Sequence, residues 1–216
     1  AAQLADVETL IEGVTIHLTD RESERITEDY INVLKPPAPF LPLQSGLYSI
    51  YRDSNSTRLQ SMLDNVVQIG RRKFFFPIGA YGFNKGLVVK NEKVQFVGVS
   101  NDIVNRHGSQ LVYYGSGGFF TFGNKISPSQ YGDNLYSGIQ GTSFINIMLD
   151  HHGGDTLLNN ESATAGNKYK AGSKAIVDYG GGNLTLESTT IQHFEYGVYL
   201  VQSDFNTWLN PTFLYN

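Results

Sequence analysis

The chain has no cysteine and few charged side chains, and these two absences exclude several classes of protein. Without cysteine there is no disulfide, no thiolate nucleophile and no cysteine metal site. Charged residues make up 17% of the 216 residues and the net charge is −4. Because phosphate contacts need clustered Lys and Arg, this balance argues against a nucleic-acid binder. No apolar run is long enough to span a membrane, so we expect neither nucleic acid nor a membrane as a partner.

Glycine and aromatic residues are abundant instead. The chain contains 23 Gly, 13 Tyr and 13 Phe, and 40% of its residues are hydrophobic. This composition is typical of an all-β protein with many turns and argues against disorder.

The most informative pattern is a repeat near the C-terminal end. Its constant offset of about 22 residues suits the coils of a β-solenoid and is too short for most helical repeats. Glycine and small polar residues divide each coil into short strands. One coil cannot bury its apolar face alone, so we predict a stack of coils forming a parallel β-helix. The matching segments are Ala175-Ile176-Val177 with Gly197-Val198-Tyr199, Thr185-Leu186 with Thr207-Trp208, and Thr190-Ile191 with Thr212-Phe213.

Residues 1–45 are predicted to form a separate, partly helical head. A proline-rich run, residues 35–39, ends any helix and forms a stiff linker, which places the domain boundary near residue 45. We expect the head to serve docking or trimerisation, with a poorly ordered leader as the alternative. Helical spacing indicates one helix at Leu4, Val7, Leu10 and Ile11, and a second, capped by Thr19 or Asp20, with Ile26, Tyr30 and Val33 on one face.

Residues 46–216 are predicted to form the β-helix. A strand-like segment at residues 46–51 is followed by the capping cluster Asp53-Ser54-Asn55-Ser56-Thr57. Apolar residues at i, i+3, i+4 and i+7 then indicate one amphipathic helix, at Leu59, Met62, Leu63 and Val66. At the other end of this region the pattern stops in a strand without a polar cap, so we expect the β-helix to continue beyond Asn216.

Short strands separated by Gly or Asn turns are predicted after this helix. A strand pair at residues 141–149 should place Ile145, Ile147 and Leu149 on one face, and a polar, irregular insertion follows at residues 150–172. The earlier strands are predicted at residues 73–77, 79–81, 87–89, 94–98, 110–114 and 119–122.

Several of these segments resemble a known family. Phe75-Phe76-Pro77-Ile78-Gly79-Ala80-Tyr81, Leu87-Val88-Val89 and Val94-Gln95-Phe96-Val97-Gly98-Val99-Ser100 resemble the opening of pectin-lyase-like right-handed β-helices. In that family an amphipathic helix caps the first coil. Leu111-Val112-Tyr113-Tyr114-Gly115-Ser116-Gly117 resembles the next coil of bacteriophage tail spikes and pre-neck appendages. The resemblance covers residues 46–216 and implies an all-β, right-handed parallel β-helix.

The resemblance also implies a function. It suggests a homotrimer on the virion tail, outside the cell, whose head at residues 1–45 binds other tail or neck proteins. Its target would be a bacterial cell-surface polysaccharide such as capsule or teichoic acid. Whether the full-length protein also degrades the glycan, as a hydrolase or a lyase, stays open. The alternatives are a secreted bacterial polysaccharide lyase or hydrolase and a non-catalytic structural adhesin. No cofactor is expected, and no catalytic residue of the family is carried over because its calcium-binding Asp clusters and closely spaced Asp pairs have no match.

The densest polar cluster is Asp150-His151-His152-Gly153-Gly154-Asp155. Glycoside hydrolysis needs one protonated and one ionised carboxyl, so Asp150 and Asp155, with His152, are the catalytic candidates. Two histidines near an aspartate could instead bind a divalent metal, although adjacent strand residues point to opposite faces. A third interpretation is that Asp150 and the two glycines only form a turn. A second group, Asp178, Glu187, His193, Glu195 and Asp204, is assigned to turns and surface.

An exposed aromatic surface is predicted near the last coils. Tyr199 alternates with Val198 and Leu200 and should face outward. Because exposed aromatic faces stack on sugar rings, Tyr199, Tyr196 and Glu195 are the candidate glycan-binding residues.

Overall fold

The computed structural model describes residues 9–11, 14–16, 30–101, 108–126, 135–152 and 169–214. Within these residues the chain is mostly β-strand with two helices, α1 (Ser49–Asp64) and α2 (Val66–Ile69). Neither helix is long and apolar enough to cross a membrane. The strands are β1 (Thr9–Ile11), β2 (Val14–Ile16), β3 (Tyr30–Asn32), β4 (Lys73–Phe76), β5 (Gly79–Phe83), β6 (Leu87–Val89), β7 (Gln95–Gly98), β8 (Ser109–Tyr113), β9 (Gly118–Phe122), β10 (Asn124–Ile126), β11 (Leu135–Ser137), β12 (Ser143–Ile145), β13 (Met148–His151), β14 (Lys170–Tyr179), β15 (Thr185–Glu187), β16 (Thr190–Gln192), β17 (Phe194–Val201), β18 (Thr207–Leu209) and β19 (Thr212–Leu214).

Three parallel sheets dominate the architecture. Sheet I has the order β18-β15-β12-β7-β4-β3, sheet II the order β19-β16-β13-β8-β5, and sheet III the order β17-β14-β9-β6. From β4 onward the chain visits sheets I, II and III in turn and adds one strand to each sheet on every circuit. Two antiparallel pairs, β1–β2 and β10–β11, lie outside this sequence. The all-β parallel class predicted from the sequence is therefore observed.

The register of the last strands confirms the repeat. Ile176 pairs with Val198, Leu186 with Trp208, and Ile191 with Phe213, as the offset of about 22 residues requires. The local apolar alternation and the turn residues were sufficient for this prediction, because both strands of each pair carry the same pattern.

Stacked aromatic rings form much of the core. In sheet I the parallel register places Phe74 beside Phe96 and Phe96 beside Phe144. Their ring centroids are 5.8 Å and 4.9 Å apart, and all three side chains are fully buried. Each such contact adds about 0.5–1.5 kcal/mol beyond the burial of apolar area. Register and core packing thus reinforce each other.

Left-handed backbone conformations recur at the corners between sheets. Asn146, Ser188 and Asn210 each follow the last residue of a sheet I strand, with φ of 51°, 44° and 51°. The Asn146 amide donates to the Glu187 carbonyl and the Ser188 amide to the Leu209 carbonyl, each on the neighbouring strand of sheet I. These bonds continue the hydrogen-bond ladder of the sheet through the corner. Asn tolerates this conformation better than most residues, which accounts for its frequency in these turns.

The one predicted amphipathic helix is divided at Asn65, and its four apolar residues are buried as predicted, Leu59, Met62 and Leu63 in α1 and Val66 in α2. Helix α1 begins at Ser49, so the strand predicted at residues 46–51 is wrong. The predicted capping cluster lies inside the helix, and its central residue Asn55 binds neighbouring segments instead. The Asn55 Oδ1 accepts from the Gln44 amide, and its Nδ2 donates to the carbonyls of Gln44 and Gly82.

Part of the predicted helical head is strand. Leu10 and Ile11 lie in β1, and Tyr30–Asn32 form β3, which pairs in parallel with β4. At Tyr30–Asn32 the helix prediction is wrong, because the buried positions Ile31 and Val33 alternate with period two. Leu4, Val7, Thr19, Asp20 and Ile26 lie outside the described residues, and the domain boundary stays a prediction.

One face of the strand pair at residues 141–149 was also misassigned. Ile147 and Leu149 are buried as predicted, but Phe144 rather than Ile145 enters the core. The left-handed residue Asn146 between β12 and β13 shifts the alternation by one position.

Candidate functional site

Asp150 lies on strand β13, so the turn interpretation is wrong for Asp150, while Gly153 and Gly154 lie outside the described residues. Its neighbour Leu149 faces the core, which places Asp150 on the outer face of sheet II. The Asp150 Oδ2 accepts from Gln110 Nε2 at 2.9 Å, and Oδ1 lies 2.8 Å from His193 Nδ1. We call Gln110, Asp150 and His193 the Asp150 cluster. It joins residues that the sequence had placed in two separate groups.

Three successive circuits of the chain contribute to this cluster. Gln110 comes from β8 and Asp150 from β13, while His193 directly follows β16. The parallel register aligns Asp150 with Gln192, which brings His193 next to the carboxylate. A hydrogen-bonded polar network of this kind fixes the relative position of the strands that carry it.

The chemistry open to the Asp150 cluster is limited by burial. An aspartate at His Nδ1 can orient an imidazole for proton transfer, as in hydrolase dyads. However, Asp150 is only 1% exposed and His193 only 3% exposed. A polymer lying on the surface of sheet II therefore has no direct access to either group. The arrangement favours a structural role for Asp150 and does not support its assignment as a catalytic acid.

The adjacent histidines have different surroundings. His151 is buried, donates from Nε2 to the Gly115 carbonyl at 3.0 Å, and meets the rings of Tyr113 and Phe194 edge-on. Burial lowers the pKa of His151, and the opposing effect of the Gly115 hydrogen bond is smaller. The His151 ring is therefore favoured in its neutral form within this aromatic environment.

His152 stacks on the Tyr114 ring with centroids 4.2 Å apart. The Arg52 guanidinium carbon lies 3.4 Å from the centroid of the same ring. At these distances the two groups must occupy opposite faces of the tyrosine, so His152 belongs to a mixed stack. Asp155, its proposed catalytic partner, lies outside the described residues. The described residues contain no group of three or more His, Asp or Glu side chains placed to hold a metal ion.

Asp178 faces the interior rather than the surface. The register aligns it with Phe122, whose side chain is in the core. Its Oδ2 accepts from Ser203 Oγ at 2.6 Å, whereas Oδ1 accepts no hydrogen bond from the described residues. Burial raises the pKa of Asp178 more than the Ser203 hydroxyl and the Gly181 backbone amide lower it. The surface assignment is therefore wrong for Asp178, although Glu187 and Asp204 are exposed.

Tyr196 and Tyr199 lie together on β17, as the sequence indicated. They are 44% and 37% exposed, and their ring centroids are 5.8 Å apart with a 75° angle between the planes. Lys174 Nζ lies 5.4 Å from the Tyr196 centroid and 5.3 Å from the Tyr199 centroid. Glu195 accepts a hydrogen bond from the Gly172 amide. We call Lys174, Glu195, Tyr196 and Tyr199 the tyrosine surface.

Lys174 was missed by the sequence analysis, although a signal for it was present. It pairs with Tyr196 across β14 and β17, one repeat length apart. Extending the observed offset of the repeat by one residue pair towards the N-terminus would have identified it.

No protein-family model, no curated protein and no solved structure matches this chain. Its function is therefore inferred from the two clusters and from the arrangement of the sheets.

Proposed function

We propose that the three parallel sheets are the faces of a right-handed parallel β-helix, and that this rod belongs to a viral tail spike or appendage. Two features support the rod. The chain visits the three sheets in constant order, and crossover connections between parallel strands are right-handed in nearly all proteins. In this proposal α1 covers the first coil and the protein is a homotrimer on the virion tail, outside the cell. The head at residues 1–45 binds other tail or neck proteins.

The proposed function of the rod is to bind a bacterial surface glycan. The observation that supports this function is the exposed tyrosine pair of the tyrosine surface. Two half-exposed aromatic rings at 75° offer two differently oriented faces within 6 Å of each other. Sugar rings stack on such faces through dispersion and C–H contacts. Both rings belong to a strand of a parallel sheet, which fixes their separation better than a loop would.

A non-catalytic adhesin is the second candidate. The observation in its favour is that Asp150 and Asp178, the carboxylates with hydrogen-bonded side-chain partners on the strands of sheets II and III, are both buried. Binding, rather than cleavage, is accordingly the role proposed for the described surface.

Affinity electrophoresis in gels containing alginate, lipoteichoic acid or dextran tests this function. We expect Tyr196→Ala and Tyr199→Ala each to weaken binding of whichever glycan the wild type binds by about tenfold, since each removes one stacking face. Tyr48→Ala is the matched control, because Tyr48 is 70% exposed and also meets a second tyrosine, Tyr51, edge-on at 5.4 Å. If folded Tyr196→Ala and Tyr199→Ala proteins are retarded by the glycan as strongly as the wild type, the tyrosine surface is not the binding site.

A further inference from the structure

Lys174 has an unusual position between the two tyrosines. It lies on β14, paired with Tyr196, and its ammonium is almost equidistant from both ring centroids, at 5.4 Å and 5.3 Å. Because the planes are 75° apart, the ammonium occupies the angle between two aromatic faces. Attraction between a cation and two aromatic rings holds it there.

No carboxylate of the described residues forms an ion pair with Lys174. The nearest carboxylate in sequence to Tyr196, Glu195, accepts a hydrogen bond from the Gly172 amide. Lys174 thus differs from Lys90, whose ammonium lies 3.1 Å from Asp64 Oδ1. Among the described residues, the Lys174 ammonium is therefore held between the two rings without a carboxylate ion-pair partner.

A glycan that covers this surface removes water from the ammonium. A neutral sugar compensates with hydroxyl contacts alone, so part of the hydration free energy of the charge is lost. A sugar with an anionic oxygen replaces the lost water by a charge-assisted hydrogen bond. The difference between these two cases is a preference for acidic glycans.

We propose that Lys174 makes the tyrosine surface selective for acidic glycans, with the anionic oxygen bound at Nζ while a sugar ring stacks on Tyr196 or Tyr199. This inference rests on the proposed glycan-binding function. A uronate carboxylate and a phosphodiester share the required chemistry, and the choice of glycans distinguishes them.

The test compares glycans that differ only in charge. Alginate and its propylene glycol ester have the same uronate backbone, but the ester is neutral, and lipoteichoic acid supplies the phosphodiester. We expect the wild-type protein to bind alginate or lipoteichoic acid at least about tenfold more tightly than the ester. Lys174→Met keeps an apolar stem of similar length and should abolish that preference, whereas Lys174→Arg should keep it. In the wild type the preference should also weaken at high salt, whereas Lys174→Met should bind the acidic glycans and the ester about equally at every salt concentration.

Lys170→Met is the control for the general positive charge of β14, because Lys170 is exposed on the same strand. An equal loss of preference in Lys170→Met and Lys174→Met would overturn the inference, as would wild-type binding to neither acidic glycan. If Tyr196→Ala abolishes binding while Lys174→Met keeps the preference, Lys174 is not the determinant and the proposed function stands. If neither tyrosine variant changes binding, the proposed function fails first.

Discussion

At the residue scale, the most unusual group is the inward-facing carboxyl of Asp178. It is 3% exposed, and Ser203 satisfies only one of its oxygens. Since burial raises its pKa, the folded protein binds the proton more tightly than the unfolded chain does. The stabilising contribution is therefore present below the ordinary value of 3.8 and is lost as the pH rises through the higher folded pKa.

Because the stabilising contribution of Asp178 is lost as the pH rises, the effect of Asp178→Asn on stability should depend on pH. The amide has the same shape and no charge, so the variant should have a higher Tm than the wild type at pH 7. The advantage should shrink as the pH falls towards 3.8, because the wild-type carboxyl becomes protonated there. Thermal unfolding of both proteins between pH 3 and pH 7 provides the measurement.

Asp204→Asn controls for the loss of one negative charge, since Asp204 is exposed. A difference in Tm between Asp178→Asn and the wild type that does not vary with pH would show that the carboxyl does not titrate in the folded protein as its burial requires.

At the element scale, helix α1 completes the hydrogen bonding of an edge strand. Strand β6 is the first strand of sheet III, so among the described strands one of its edges has no partner. The Gln60 side chain replaces that partner: its Oε1 accepts from the Val88 amide and its Nε2 donates to the Val88 carbonyl, both at 2.9 Å. Edge strands that are not covered pair with other chains, which explains why a polar side chain is used here.

We predict that Gln60→Ala lowers the free energy of unfolding by about 1–3 kcal/mol, because it leaves the Val88 amide and carbonyl without partners. Urea denaturation followed by circular dichroism measures the change. Gln68→Ala is the matched substitution at an exposed position of α2 and should change stability by less than about 0.5 kcal/mol. Equal effects of the two variants would mean that water serves the Val88 edge as well as Gln60 does.

At the scale of the whole molecule, several large apolar side chains in the helices and loops outside the three sheets are exposed. Leu41, Tyr48, Ile50 and Val67 are 61–70% exposed, and Phe205 is 83% exposed. Apolar surface of this kind often becomes buried on assembly, and the homotrimer expected from the sequence would provide that burial.

Light scattering tests the trimer. We expect a mass three times that of the 23.9 kDa chain at micromolar concentration. A monodisperse monomer would count against the tail-spike proposal and favour a secreted enzyme or a monomeric adhesin.

Local patterns in the sequence were sufficient for much of the fold. The positions of β6, of the paired repeats in β14–β19 and of the buried face of α1 follow from alternation, helical spacing and turn residues within short segments. The outward position of Tyr199 follows in the same way from its neighbours Val198 and Leu200. These features depend on residues close in sequence, where side-chain direction is fixed by the period of the element.

Only the tertiary structure decided which distant residues meet. The Asp150 carboxylate and His193 are 43 residues apart, and the irregular insertion between them hides the repeat that aligns their strands. The burial of Asp178 beside Ser203 depends on a contact between residues 25 positions apart, which no local pattern shows. Lys174 reaches the two tyrosines only because parallel pairing stacks one circuit on the next. The sequence by itself therefore determined most strands after residue 73, their period and the outward tyrosine. The pairing register determined the contacts of the site, because register is set by packing summed over whole sheets.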